Sequence, residues 1–386
     1  MTPVAVVAGA VANKAWNGGA TWTRLSWLRG LDQLGFDVHF VEQLDAAAPP
    51  GAQAYFERVM SAIGLRRSST LLRPDGTTAA GLTADELRRL AARAAMLVNI
   101  SGHLVLPEVT DTVDLRVFVD LDPGFTQIWD CSGTRTAVLD AHDAWFTVGE
   151  SIGTAGCSVP TNGRPWRPIR QPVVLSDWPA VPAASAAAGR FTTVGSWRGP
   201  YGPVEHGGRV LGVKAHQFRR FLPLPILARG TYELALEIHA ADAKDRSALE
   251  EHGWRLVDPG GVASDPTSFR RYVQGSDAEF SVAQSVYVDT ASGWFSDRTV
   301  RYLASGRPAL VQDTGFRRSY PTGSGLLAFT TLDEAVEGAE AILADHGYHC
   351  RAARALAEEW FAADRVLGRL CDELGVARPR RGSEAR

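Results

Sequence analysis

Short β-branched runs alternating with helical-period segments constrain this chain most. Residues 3–8 form the first run and residues 37–41 (DVHFV) the second. Between them Trp22, Leu25, Leu28, Leu31 and Leu34 recur at helical spacing, and Gly35 ends the segment. A strand, loop, helix and strand in that order make a crossover unit, for which the right-handed form is the default. The alternation continues. Helices are predicted over residues 52–63 and 83–94, the latter opened by a Thr83/Glu86 capping box, and strands over 96–100, 115–119 and 144–147. The strands end in polar residues: Ser101-Gly102-His103, the turn at 120–124, and Gly149-Glu150. Parallel pairing gathers such ends on one sheet edge, where open α/β folds bind ligands.

With 386 residues the chain has room for two domains of ordinary size. A low-complexity segment (WPAVPAASAAAG, 178–189) follows a Pro- and Arg-rich stretch and supplies the natural hinge. The reading is a first domain over 1–178, a hinge at 179–189, and a second domain over 190–346. A terminal helix (347–376, from helical periodicity over 348–374) and a disordered polar tail (377–386) complete it. In the second domain strands are predicted at 191–194, 234–238, 255–257, 279–282, 309–311 and 325–329. Helices are predicted around 218–222, 243–252, 266–273 and 331–343.

Composition excludes several classes. A net charge of -3 and a pI near 6.3 make no electrostatic case for nucleic acid or an anionic membrane. No stretch approaches the roughly 20 apolar residues of a spanning helix. The start, MTPVAVVAGAVA, lacks a basic region and reads as a core strand rather than a signal peptide. The four cysteines are scattered without a C-x-x-C pair, which predicts reduced thiols in a cytoplasmic protein and no zinc site. The Gly18-Gly19 pair is not the G-x-G-x-x-G fingerprint, and Glu42 at the end of the second strand does not supply the rest of it, so no nicotinamide cofactor is expected.

Residues 292–316 (SGWFSDRTVRYLASGRPALVQDTGF) concentrate the chemistry. A small-residue turn (Ser292, Gly293) leads through Trp294 to Ser296-Asp297-Arg298 at a helix start. Val300, Leu303 and Ala304 form that helix's inward face. A Gly-Arg-Pro break then opens an apolar strand ending in Asp313-Thr314-Gly315. A loop that opens a helix presents free N–H groups and a positive dipole end, which suit a phosphate. This A-x-G-x-P pattern, followed at once by a strand and an Asp-x-Gly turn, resembles the donor site of GT-B fold glycosyltransferases with a group 1-like C-terminal domain. The resemblance implies an α/β fold of two facing Rossmann-like domains with an interdomain cleft. It also implies metal-independent transfer of a sugar from a nucleotide-diphosphate donor to a small-molecule or glycan acceptor.

On that resemblance, donor-binding candidates are Gly195, Ser196, Arg198, Lys214, His239, Asp258, Gly293, Trp294, Ser296, Asp297 and Arg298. Asp313, Thr314 and Gly315 stand at a strand end suited to sugar hydroxyls. The glycine-bearing first loop (Asn17, Gly18, Gly19) faces the phosphates or the acceptor. His103, Asp122 and Glu150 are candidates for the base that takes the acceptor proton, and the sequence does not choose among them. No metal or other cofactor is expected, Asp120-x-Asp122 being the nearest approach to a metal pair. Trp16, Trp22, Trp27 and Trp129 suit a sugar-like acceptor and a core equally. A homodimer is compatible with all of this.

One departure matters. The retaining GT-B family carries two glutamates separated by seven residues, and here Gly293 and Arg301 occupy those places, with Asp297 one helical turn away. Readings as an epimerase, a phosphorylase or a non-catalytic nucleotide or sugar binder therefore stay open.

Overall fold

The computed structural model describes residues 2–182 and 189–379. Most of the expected hinge (183–188) and of the tail (380–386) lies outside the described residues.

The first sheet has eight strands: β1 (Val4–Ala8), β2 (Asp37–Gln43), β3 (Ser69–Leu72), β4 (Thr78–Ala80), β5 (Ala94–Ile100), β6 (Arg116–Asp120), β7 (Ala144–Thr147) and β8 (Arg167–Pro168). Their order is β4-β3-β2-β1-β5-β6-β7-β8, and every pairing but β3–β4 is parallel. The β-branched run of β1 is buried throughout because helices cover both faces of a parallel sheet. Strands β3 and β4 had no counterpart in the sequence reading. Their signal was the Pro74-Asp75-Gly76 turn between two short runs.

The second half contains β9 (Arg190–Ser196), a hairpin of β10 (Val204–His206) and β11 (Arg209–Leu211), β12 (Thr231–Glu237), β13 (Arg255–Val257), β14 (Ala278–Ser281), β15 (Ala309–Gln312) and β16 (Leu326–Phe329). Outside the hairpin these strands form a six-stranded parallel sheet in the order β13-β12-β9-β14-β15-β16. In both sheets the first strand of the unit is central. β1 lies between β2 and β5, and β9 between β12 and β14, so each sheet has a point where its connections diverge and leave a crevice.

The two halves meet along helix α1 (Gly18–Gln33). Asn17 caps it, its Oδ1 accepting from the Ala20 N–H at 2.9 Å. Gly18 is required by contact: a Cβ there would lie 2.2 Å from the Asp265 carbonyl oxygen in the other half. Trp22 donates its indole N–H to the Pro266 carbonyl at 2.7 Å, and Thr23 Oγ1 donates to Asp297 Oδ2 at 2.5 Å. Trp22 and Trp27 belong to the apolar core, which takes them away from any acceptor.

The single terminal helix predicted over 348–374 is broken. Helix His346–Leu356 runs into a wide turn at Ala357–Phe361, Ala362 is extended, and helix Ala363–Leu374 follows. Val173 pairs with the break, donating to the Phe361 carbonyl at 2.8 Å and accepting from the Ala363 N–H at 2.9 Å. Phe361 stacks on Phe295 with centroids 5.2 Å apart. The break lets the first helix pack beside Asp297–Ala304 and the second against α1, where Gly30 leaves room for Leu367 and Ala363. Periodicity could not reveal it, because both segments keep the same helical spacing.

Candidate active site

A cleft of about 850 Å³ lies where the C-terminal edges of the two sheets face each other. Its walls come from strand ends: the loop after β1 with the start of α1, the turn after β6, the ends of β9 and β12, and the turns after β13 and β14.

On the second-sheet wall stand Gly195 and Ser196, ending β9, with Lys214 over them. A Cβ at Gly195 would lie 3.0 Å from the Lys214 Nζ, so this glycine makes room for the ammonium. Lys214 has no ion-pair partner among the described residues; burial, and then the neighbouring Arg298 cation, bring its pKa down to about 7. Arg298 is differently held. Its Nε donates to the buried Glu279 carboxylate at 2.7 Å, and its other nitrogens donate to the Val194 carbonyl at 2.7 Å and to Ser281 Oγ. Ser296 caps the Asp297–Ala304 helix by accepting from the Arg298 N–H at 3.2 Å, so that N-terminus opens on the cleft beside Ser296, Asp297 and Trp294. Asp258 lines the far end and caps its own short helix.

On the first-sheet wall stand Lys14, Asn17, Gly19, Arg24 and Asp122. Asp122 is clasped from across the cleft. Tyr201 Oη donates to it at 3.1 Å and Tyr287 Oη at 3.4 Å. Burial first, and then the Asp122 charge, push both phenol pKa values up, so each hydroxyl keeps its proton and donates. Tyr287 is itself stacked on Trp294 at 4.3 Å. The neighbouring Asp120 turns the other way and is fully engaged, accepting from Thr126 (2.7 Å), Gln127 (2.9 Å) and Thr147 (2.7 Å). The two aspartates therefore do not converge on a common ion. Trp16, half exposed at 51%, lines the rim beside Tyr55 and Arg58. Trp129 packs against Tyr201 instead.

Several expected site residues lie elsewhere. Glu150 belongs to a separate cavity of about 160 Å³ with Arg170 and Trp360, because β7 lies toward the β8 edge of the sheet, with β5 and β6 between it and β1. Arg198 is exposed and pairs with Asp242 at 2.7 Å. His239, also exposed, spends Nδ1 on the Ala241 N–H at 3.1 Å. Asp313 accepts from the Gly315 N–H at 2.9 Å, and Thr314 Oγ1 donates to the Trp294 carbonyl at 2.5 Å. The 313–315 turn thus supports the Trp294 loop from behind, with Gly315 at φ +98 against Ala291. Gly293 is likewise buried, at φ +74 and against Ser151. His103 lies near the first wall but is not among the residues lining the cleft. Burial first, and then Arg24, Lys14 and Arg135, lower its pKa to about 3.

The sequence reading missed Lys14, Arg24, Tyr201 and Tyr287. Arg24 carried a signal, a cation on the apolar face of a helix otherwise lined by Leu25, Leu28 and Leu31. Glu42 explains the first loop: its two oxygens accept from the N–H groups of Val11 (2.9 Å), Ala12 (2.8 Å) and Asn13 (2.8 Å). A carboxylate used in this way holds the loop that carries Lys14.

Two facing parallel sheets, each with its ligand crevice at a central strand, define the architecture. The chain has the GT-B fold. An alpha-glucosyltransferase (AGT) solved in complex with UDP superposes with a TM-score of 0.62 at 10% identity, covering 97% of this chain and 100% of that one. HepE from Anabaena, solved with UDP-glucose, gives 0.58 at 8% identity over 97% and 100%. Sucrose-phosphate synthase from Thermosynechococcus elongatus gives 0.55 at 12% identity over 97% and 99%. No family profile and no curated protein sequence matches the chain. At such identities the GT-B likeness is one of fold. No helix among the described residues is long and apolar enough to cross a membrane.

Proposed function

We propose that this protein is a metal-independent glycosyltransferase. It moves a sugar from a nucleoside-diphosphate donor, held on the second-sheet wall, to a small-molecule or glycan acceptor on the first. The observation that carries this is the opposition, across one cleft, of an unpaired Lys214 and a tyrosine-clasped Asp122. The GT-B neighbours crystallised with UDP and UDP-glucose support the donor class.

The acceptor oxygen attacks the anomeric carbon as the bond from that carbon to the diphosphate oxygen breaks. The acceptor proton passes to Asp122, whose tyrosine clasp fixes its orientation. The developing diphosphate charge falls on Lys214 and on the N–H groups opening the Asp297–Ala304 helix, donors positioned before the reaction starts. Arg298, tied to Glu279, holds the ends of β9 and β14 in place beside them. Among the described residues no group of three or more His, Cys, Asp or Glu side chains is placed to hold a metal ion. In the proposed reading the cations and backbone of this chain carry the charge neutralisation.

Calorimetric titration with UDP, TDP, GDP, ADP and CDP in the presence of EDTA tests the reading. One nucleotide should bind, and Lys214→Met should weaken it. If none of the five binds, the donor assignment is wrong. Tight binding with no sugar transfer from the matching nucleotide sugars to any acceptor would leave a binding protein.

A further inference from the structure

The two walls hold two separate sets of cations, and a nucleoside diphosphate has one anionic end. Lys214 and Arg298 converge on the end of β9. Lys14 and Arg24 rise from the opposite side, after β1. Arg24 is 3% exposed. Its stem lies over Gly9, where a Cβ would come 3.1 Å from its Cγ, and one terminal nitrogen donates to the Ala20 carbonyl at 3.2 Å. Its Nε is buried without a partner. Lys14 has no hydrogen bond or ion pair among the described residues.

The nearby carboxylates act on this pair through space and none is in direct contact with it. Glu42 is engaged by three loop N–H groups, Asp122 by two tyrosines, and Asp297 by Thr23 and by Arg301 at 3.3 Å. None forms an ion pair with Lys14 or Arg24 among the described residues. His103, Arg135 and the buried Arg301 carry no negative charge to offset them. A buried guanidinium without a direct ion pair is costly, and beside Lys14 in the cleft wall it leaves donors for an incoming oxyanion.

We propose that Lys14 and Arg24 form an oxyanion subsite for the acceptor, which therefore carries a phosphate monoester or a carboxylate. This rests on the glycosyltransferase reading, in which the donor diphosphate occupies the other wall. The charged group of the acceptor seats on Lys14 and Arg24 and leaves a hydroxyl to face Asp122.

The test titrates inorganic phosphate into protein saturated with UDP, or with whichever nucleotide the panel above selects. Wild type should take up phosphate saturably without releasing the nucleotide. Arg24→Gln and Lys14→Gln should each weaken phosphate about ten-fold or more, the worth of a charge-assisted hydrogen bond, with nucleotide affinity changed less than about three-fold. Phosphate that displaces the nucleotide, or that binds both variants as it binds wild type, overturns the subsite. Lys14→Gln, on a half-buried loop residue, keeps the test alive if Arg24→Gln fails to fold. If no nucleotide binds, the donor reading fails on its own, and the same phosphate titration in Lys214→Met still decides the subsite. Glucose 6-phosphate and glucuronate, each against glucose, separate the two sources of the oxyanion. Equal weak binding of all three counts against it.

Discussion

The two walls of the cleft have the same construction and different charge pairing. Each is the carboxyl edge of a parallel sheet whose first strand is central, β1 in one and β9 in the other. On the β9 side the deeper cation, Arg298, is bound to a fully buried carboxylate, Glu279, and Lys214 has no ion-pair partner among the described residues. On the β1 side the buried cation, Arg24, makes no ion pair among the described residues, and Asp122, which faces the cleft, is held by tyrosines from the other half. One fold edge can thus be finished as a rigid frame with a single free charge, or as a charged surface awaiting a partner. The lesson is that a topological switch point places a ligand, while the pairing state of its side chains says what kind.

Four substitutions press on this contrast. Asp122→Asn keeps the shape and the tyrosine contacts but removes the proposed base from the first wall. Turnover should fall about 10²–10⁴-fold while calorimetry shows nucleotide affinity nearly unchanged. Equal loss of both would place Asp122 in donor binding and dissolve the division between the walls.

Glu279→Gln strips the frame of the second wall and leaves Arg298 without its counter-ion. Denaturant titration should show a loss of about 3–5 kcal/mol, as expected for breaking a buried pair from one side. A neutral result would mean that Arg298 finds water and that the wall is softer than its hydrogen bonds indicate.

Lys214→Met addresses the free charge on that wall. Diphosphate affinity at pH 6.5 should drop about 10–100-fold. Because burial and Arg298 place Lys214 near 7, the free protein loses this charge as pH rises through 7, whereas a bound diphosphate restores it. Wild-type affinity should therefore decline above pH 7 by up to about ten-fold per pH unit, and the variant should show a flatter profile. A wild-type curve with no decline would break the assignment.

Glu150 lies outside both walls and serves as the comparison. Burial raises its pKa from 4.5 to about 7, the Arg170 charge offsetting only part of the effect. A carboxyl raised on folding contributes stability that is full below its unfolded value and is lost as pH rises through about 7. Melting curves from pH 4 to 8 should show wild type falling relative to Glu150→Gln over that window, with nucleotide binding unaffected. A change in nucleotide affinity would return Glu150 to the cleft.

Most of the alternation was legible because β-branched runs and helical periods are local. Residues 144–147 and 255–257 appear as strands at the predicted bounds, and Thr83 and Glu86 form the expected capping box. Lys214, Asp122, Ser296 and Asp297 line the cleft because strand ends and helix starts could be located from pattern alone. Arg198, His239 and Asp313 also stand near strand ends, yet each meets a local partner and none lines the cleft, and such partners are not written in spacing.

The sequence by itself determined that the chain forms two parallel α/β sheets with their polar ends gathered, because hydrophobic period and capping act over a few residues. Which charges are left unpaired was decided only by tertiary structure. Lys14 and Arg24 share one cleft with Asp122 and Asp297, which lie about 100 to 280 positions away in the chain, and whether a buried charge finds a direct partner depends on how the fold sets those distances.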